Sequence, residues 1–208
     1  MIKSVLFDVD GVLLDSYDAN SKYVSDLNYA LGNSPLPKDW YATRYHVSLK
    51  DIIMELSESN DQSKLERLYM FAKTEVPYDH TLLKMPEKIE EVLETLSKKY
   101  SLGIVTSRIH KSIYGLPQLK KLKEYFETSV GYEDTEQHKP HPAPLLEACR
   151  RLNVLPAEAV YVGDAITDVK AAVAAKMPII HFAEKPSEFT TSGTFIFSEI
   201  PKLVEAIS

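Results

Sequence analysis

Two short apolar runs, Ser4-Val5-Leu6-Phe7 and Ala159-Val160-Tyr161-Val162, each break off into aspartate and glycine. Asp8-Val9-Asp10-Gly11 follows the first run and Gly163-Asp164 the second. An apolar run of four bounded by such residues reads as a buried strand. Glycine is scarce, 7 in 208 residues, half the usual ~7% share. A glycine at each strand end therefore signals a backbone requirement. Two strands that end alike suggest two loops meeting at one edge of a sheet.

Most of the remaining chain alternates. Residues 86–100 carry Ile89, Val92, Leu93 and Leu96 at helical spacing, and 102–105 form a short apolar strand running into Thr106-Ser107-Arg108. Helices are predicted over 116–126, 143–152, 166–176 and 199–207, and strands over 129–131, 178–182 and 194–197. Strand and helix in alternation imply an α/β fold, a Rossmann-like parallel sheet with helices on both faces. Residues 16–82 break the pattern. Segments 17–31, 49–57 and 63–74 read as helices, with Gly32, Pro35 and Pro37 marking a turn, and no strand lies among them. The expected organisation is a core of residues 1–15 and 83–208 with an all-helical subdomain, 16–82, inserted after the first strand.

The net charge of −6 argues against a nucleic-acid binder, which would show a basic face. No apolar run approaches the ~20 residues of a spanning helix, so no membrane partner is expected. The first strand begins almost at the N-terminus without a small-residue cleavage site, unlike a signal peptide. Cys149 is alone, which favours a reducing, cytoplasmic setting.

Asp8 and Asp10 are two apart at a strand end, and Asp164 and Asp168 span a strand end and the first turn of a helix. In an open parallel sheet, ligands bind beyond the carboxyl ends of the strands. If the two strands are neighbours, four carboxylates converge there. Like charges at 4 Å repel by ~4 kcal/mol at an effective dielectric of 20, so the cluster needs raised pKa values or a cation. Oxygen-only ligands suit a hard ion such as Mg²⁺. Any one of these aspartates alone would be an ordinary turn or cap residue; both pairs, each beside a rare glycine, point to a site. Thr106 ends a strand at the same edge, and Lys139, between His138 and Pro140, could offset carboxylate charge and bind a phosphoryl oxygen.

Together these residues resemble the haloacid dehalogenase superfamily of phosphohydrolases. Phe7-Asp8-Val9-Asp10-Gly11-Val12 is similar to its first motif and Ile104-Val105-Thr106-Ser107 to its second. Lys139-Pro140 is similar to the third, and Gly163-Asp164-Ala165-Ile166-Thr167-Asp168 to the fourth. The helical block resembles the cap of the phosphoglycolate phosphatase-like branch. The resemblance implies Asp8 as nucleophile, Asp10 as acid and base, and Thr106 and Lys139 as holders of the phosphoryl group. Gly11, Ser107 and Arg108 complete the expected substrate contacts. Mg²⁺ would bind Asp8, the backbone carbonyl of Asp10, and Asp164, with Asp168 supporting or completing the shell. The expected partner is a small phosphorylated metabolite, its identity and the oligomeric state left open.

The resemblance also separates alternatives. Dehalogenase and phosphonatase branches lack an acid–base aspartate at the place of Asp10. The β-phosphoglucomutase branch typically carries a histidine near the place of Asn20, so hydrolysis is expected over phosphomutase activity. A non-catalytic binding protein on the same fold is the rival class, disfavoured because every reacting group is present. Ala165 stands where many relatives have a hydroxyl residue. The segment Tyr45-His46-Val47-Ser48 lacks the glycine common in phosphoglycolate phosphatases, which weakens phosphoglycolate as substrate. Trp40, Arg44, Tyr45 and His46 divide evenly between substrate contact and packing within the cap.

Overall fold

A computed structural model of the chain describes residues 1–45, 47–182, 194–195 and 203–207. His46, and parts of the strand expected at 194–197 and the helix expected at 199–207, lie outside them. The described residues divide into two compact units, one of Met1–Asp15 with Lys84–Ser208 and one of Ser16–Leu83.

The first unit is a six-stranded sheet of β1 (Ser4–Phe7), β2 (Ser101–Val105), β3 (Thr128–Val130), β4 (Ala159–Gly163), β5 (Ile179–Phe182) and β6 (Thr194–Phe195). Every pairing is parallel, in the order β3-β2-β1-β4-β5-β6. The strands are near-continuous apolar runs because helices cover both faces. Leu6, Tyr161 and Ile179 pack with Leu145, Ala148 and Cys149 of α7 (Ala143–Leu152) and Val169, Ala171, Ala172 and Ala175 of α8 (Ile166–Ala175). Gly103 belongs to this close packing: a Cβ there would come within 2.8 Å of the Leu6 side chain. On the opposite pleat Val5, Phe7, Leu102, Ile104 and Val162 are buried, the Phe7 ring meets Phe126 edge-on at 6.0 Å, and α4 (Ile89–Ser97) packs on β2.

The helix expected over 86–100 is shorter, Ile89–Ser97, because Lys88 at its N-cap takes a left-handed φ of 61°. The helix expected over 116–126 closes as α6 (Pro117–Leu122) and a 3₁₀ turn. A further helix, α5 (His110–Gly115), was not legible in the sequence: it is six residues long and buries only Ile113. The chain leaves this unit at Asp15 and returns at Lys84, whose backbones pair through Asp15 N–H to Lys84 O (2.9 Å) and the reverse bond (3.1 Å).

The second unit is helical: α1 (Tyr17–Ala30), α2 (Leu49–Ser57) and α3 (Gln62–Glu75), with 3₁₀ turns at Tyr41–Thr43 and His80–Leu82. Ser48 and Asp61 cap α2 and α3 by accepting from the Asp51 and Lys64 amides. Val24, Leu27, Ile52, Ile53, Leu56 and Ala72 form its core, and the Tyr23 hydroxyl ties α1 to α3 by donating to Ala72 O at 2.7 Å.

Candidate active site

In this strand order β1 and β4 are neighbours, paired Phe7 to Val162. The connections from β1 run out to β2 and β3, then return across β1 to β4, so the chain switches direction between these two strands. That is where an open α/β sheet leaves a crevice at its carboxyl edge. Asp8 N–H extends the ladder by donating to Val162 O (2.8 Å), and Asp8, Asp164 and Asp168 gather beyond it. Each offers a carboxylate oxygen, and those oxygens lie within 4.8 Å of one another.

Two glycines make this gathering possible. Gly11 has φ 73°, and a Cβ there would stand 1.9 Å from Asp164 Oδ2. A Cβ on Gly163 would stand 2.6 Å from the Asp168 Cβ. The missing side chains are the room the carboxylates occupy.

Lys139, in the loop before α7, brings the positive charge. Its Nζ lies 2.8 Å from Asp8 Oδ2 and 2.7 Å from Asp168 Oδ1, and donates to the Tyr161 hydroxyl at 2.9 Å. An ammonium has three N–H donors, and these three contacts use them all. The Tyr161 hydroxyl in turn donates to Val105 O at 3.0 Å. Asp168 Oδ2 accepts from the Asp164 and Ala165 amides at 3.1 and 3.0 Å, so Asp168 caps α8 while it braces the loop carrying Asp164. His181 holds that loop from the other side, its Nε2 donating to Asp164 O at 2.9 Å. Asp8 Oδ1 accepts from Val9 N at 2.7 Å, which orients the carboxylate.

Three carboxylates face one ammonium, and the imbalance appears in the proton affinities. Burial raises the Asp8 carboxyl from 3.8 to about 7, with Lys139 pulling against it. Burial, then the charges of Asp168 and Asp8, raise Asp164 well above the usual carboxylate range. Burial works against the charge on Lys139, yet Asp168 and Asp8 outweigh it and hold the ammonium protonated. An oxygen-only donor set with two of its three carboxylates buried and surplus negative charge fits a hard divalent cation.

The other expected residues are placed as follows. Thr106 is buried at the end of β2, its hydroxyl oxygen accepting from Arg108 N at 3.2 Å. Ser107 is exposed beside it. The Asp10 carboxylate is not part of the trio: it forms a bidentate pair with Arg108, Nε to Oδ2 at 2.8 Å and Nη2 to Oδ1 at 2.7 Å. In the helical unit Arg44 is engaged locally, bonded to Glu55 and stacked 4.0 Å over Trp40. The Tyr45 ring packs with Tyr17 and Tyr41. Sequence reasoning missed Tyr161 and His181. The one signal for Tyr161 was a hydroxyl within an otherwise aliphatic strand.

Comparison with known proteins identifies the family. Residues 5–182 match the family model described as haloacid dehalogenase-like hydrolase. Pyrophosphatase PpaX of Bacillus cereus strain G9842 is 32% identical over 171 residues, covering 81% of this chain and 77% of that protein. A subfamily IA hydrolase of the same superfamily from Geobacter sulfurreducens superposes with a TM-score of 0.72 at 27% identity, covering 98% of this chain and 96% of that one. A haloacid dehalogenase-like family protein from Streptococcus pneumoniae shares the fold, with a TM-score of 0.81 at 18% identity over 100% and 99% of the two chains. With this match along nearly the whole sheet, the chain belongs to the haloacid dehalogenase-like hydrolase family.

Proposed function

We propose that the protein hydrolyses a small phosphorylated metabolite through an aspartyl-phosphate on Asp8, with Mg²⁺ as cofactor. The observation that carries this reading is the trio of Asp8, Asp164 and Asp168, with the Lys139 ammonium held between the buried Asp8 and Asp168. Asp8 and Asp164 are the side chains to hold the cation: Asp168 is the most heavily engaged of the three, accepting from Lys139, Asp164 N and Ala165 N, where Asp8 accepts from Val9 N and Lys139. When bound, the cation neutralises charge shared between the carboxylates and the phosphoryl oxygens.

Asp8, oriented by Val9 N, attacks phosphorus, and the leaving oxygen departs with a proton from Asp10. Water then attacks the phosphoaspartate, giving its proton to Asp10 and restoring Asp8 as inorganic phosphate leaves. The Thr106 hydroxyl, which accepts from the Arg108 amide, holds a phosphoryl oxygen, and Lys139 offsets the charge at the nucleophile. The inserted helical unit is assigned the role of a cap that selects the substrate. Asn20 supports hydrolysis over mutase chemistry: it donates to Ser16 Oγ at 3.1 Å and accepts from the Tyr78 hydroxyl at 2.8 Å, a structural role inside the helical unit.

The test is phosphate release from a panel of phosphorylated metabolites, with Mg²⁺ and with chelator. Pyrophosphate heads the panel because relatives at 30–32% identity are named pyrophosphatases. Release that needs Mg²⁺, falling at least ~10³-fold in Asp8→Asn while the fold is kept, is the expected outcome. No release from any substrate would favour the binding protein. Interconversion of sugar 1- and 6-phosphates would establish a mutase.

A further inference from the structure

The Arg108–Asp10 pair joins residues 98 apart in sequence, and the structure separates what is fixed in it from what can move. The Arg108 backbone is pinned at both ends. Its N–H donates to Thr106 Oγ1, and its carbonyl accepts from Tyr132 N at 2.9 Å. Gly131 presses so close that a Cβ would come within 2.9 Å of that carbonyl. The loops after β2 and β3 thus hold one position for Cα of Arg108. The two side chains are less enclosed, with exposures of 16% for Arg108 and 36% for Asp10.

While both oxygens of Asp10 accept from the guanidinium, Asp10 presents no O–H to a leaving group. The edge of Arg108 that it occupies is a planar fork suited equally to a second carboxylate or a phosphate. Lys139 cannot take that role in the resting protein, because its three donors are committed to Asp8, Asp168 and Tyr161.

We propose that Arg108 is a specificity-determining residue for substrates with a second anionic group next to the scissile phosphoryl, of the diphosphate type. That group takes the guanidinium fork from Asp10, and the exchange frees Asp10 for proton transfer. Binding of the right substrate thereby assembles the acid–base catalyst. The inference rests on the hydrolytic reading above and adds the substrate class.

The experiment compares kcat/KM for pyrophosphate and for p-nitrophenyl phosphate, whose leaving group is uncharged before cleavage apart from its phosphoryl, in wild type, Arg108→Gln and Arg108→Lys. The expected result is a fall of at least ~30-fold in the pyrophosphate to p-nitrophenyl phosphate ratio for Arg108→Gln. Arg108→Lys, with the charge but not the fork, should fall in between. Equal losses on both substrates, a lysine variant equal to wild type, or a wild type that cleaves the monoester but not pyrophosphate, would each overturn the proposal and leave the phosphatase reading standing. If wild type cleaves neither, that reading fails, and calorimetry with Mg²⁺ and pyrophosphate decides the inference separately. Binding at least ~10-fold weaker in Asp8→Asn/Arg108→Gln than in Asp8→Asn supports it; equal affinities overturn it.

Discussion

The sheet edge and the helical unit use charge in opposite ways. In the helical unit, charges are spent in local pairs near solvent: Lys22 with Asp26 four residues on, and Arg44 with Glu55. Such pairs satisfy themselves and ask for nothing else. At the sheet edge, the side chains of Asp8, Asp168 and Lys139 are nearly covered and drawn from three separate stretches, with one ammonium among three carboxylates. The proposed chemistry is assigned to the place where electrostatics is left unfinished.

Breaking the buried side should have the largest effect. Lys139→Met would leave Asp8, Asp164 and Asp168 facing one another without a counter-charge, and should cost about 3–5 kcal/mol in urea unfolding of the metal-free protein. Divalent cation should restore part of the loss, and a variant as stable as wild type would show that the ammonium is not what holds the trio together.

Gly11→Ala comes next. Its methyl would sit on Asp164 Oδ2 at a left-handed φ, so kcat/KM should fall by about 10²-fold as the carboxylate is displaced. Phosphate-release kinetics measure this, and an unchanged rate would mean that Asp164 need not stand where it does.

Asp8→Asn provides a finer test, through pH. A carboxyl raised from 3.8 to about 7 on folding takes up a proton in that interval, so its stabilising contribution is complete below pH ~4 and is lost as the pH climbs to about 7. Without metal, Asp8→Asn should therefore melt above wild type at pH 8, with the gap closing towards pH 4. A gap that widens on acidification would reverse the sign of the burial effect.

The smallest effect is expected in the helical unit. Arg44→Ala or Glu55→Ala should shift the melting temperature only slightly, and less at high salt, because solvent already screens the pair. A large loss would put the helical unit in the same electrostatic class as the sheet edge.

Much of this contrast was legible beforehand because it rests on local pattern. The apolar runs before Asp8 and Asp164 announce buried parallel strands, and the spacing in 17–31, 49–57 and 63–74 announces helices close to those observed. Asp8, Asp164 and Asp168 are singled out by residue type and neighbouring glycine, and Lys139, between His138 and Pro140, by the carboxylate charge it could offset. The pairing of Arg108 with Asp10, which the sequence reading had placed on substrate and on the reaction respectively, was not legible. Nor was the threefold engagement of Lys139, or the work of Tyr161 and His181.

The sequence by itself determined the alternation of strands and helices, the strand-free stretch expected over 16–82, and the kinds of chemical group carried at each strand end. Hydrophobic period and turn chemistry act over a few residues, so they can be read along the chain. Only the tertiary structure decided which groups meet. With β1 seated between β2 and β4, Asp10 lies within reach of Arg108 and Asp8 within reach of Lys139. Hydrogen bonds and charges act over a few ångströms of space, whatever the distance in sequence.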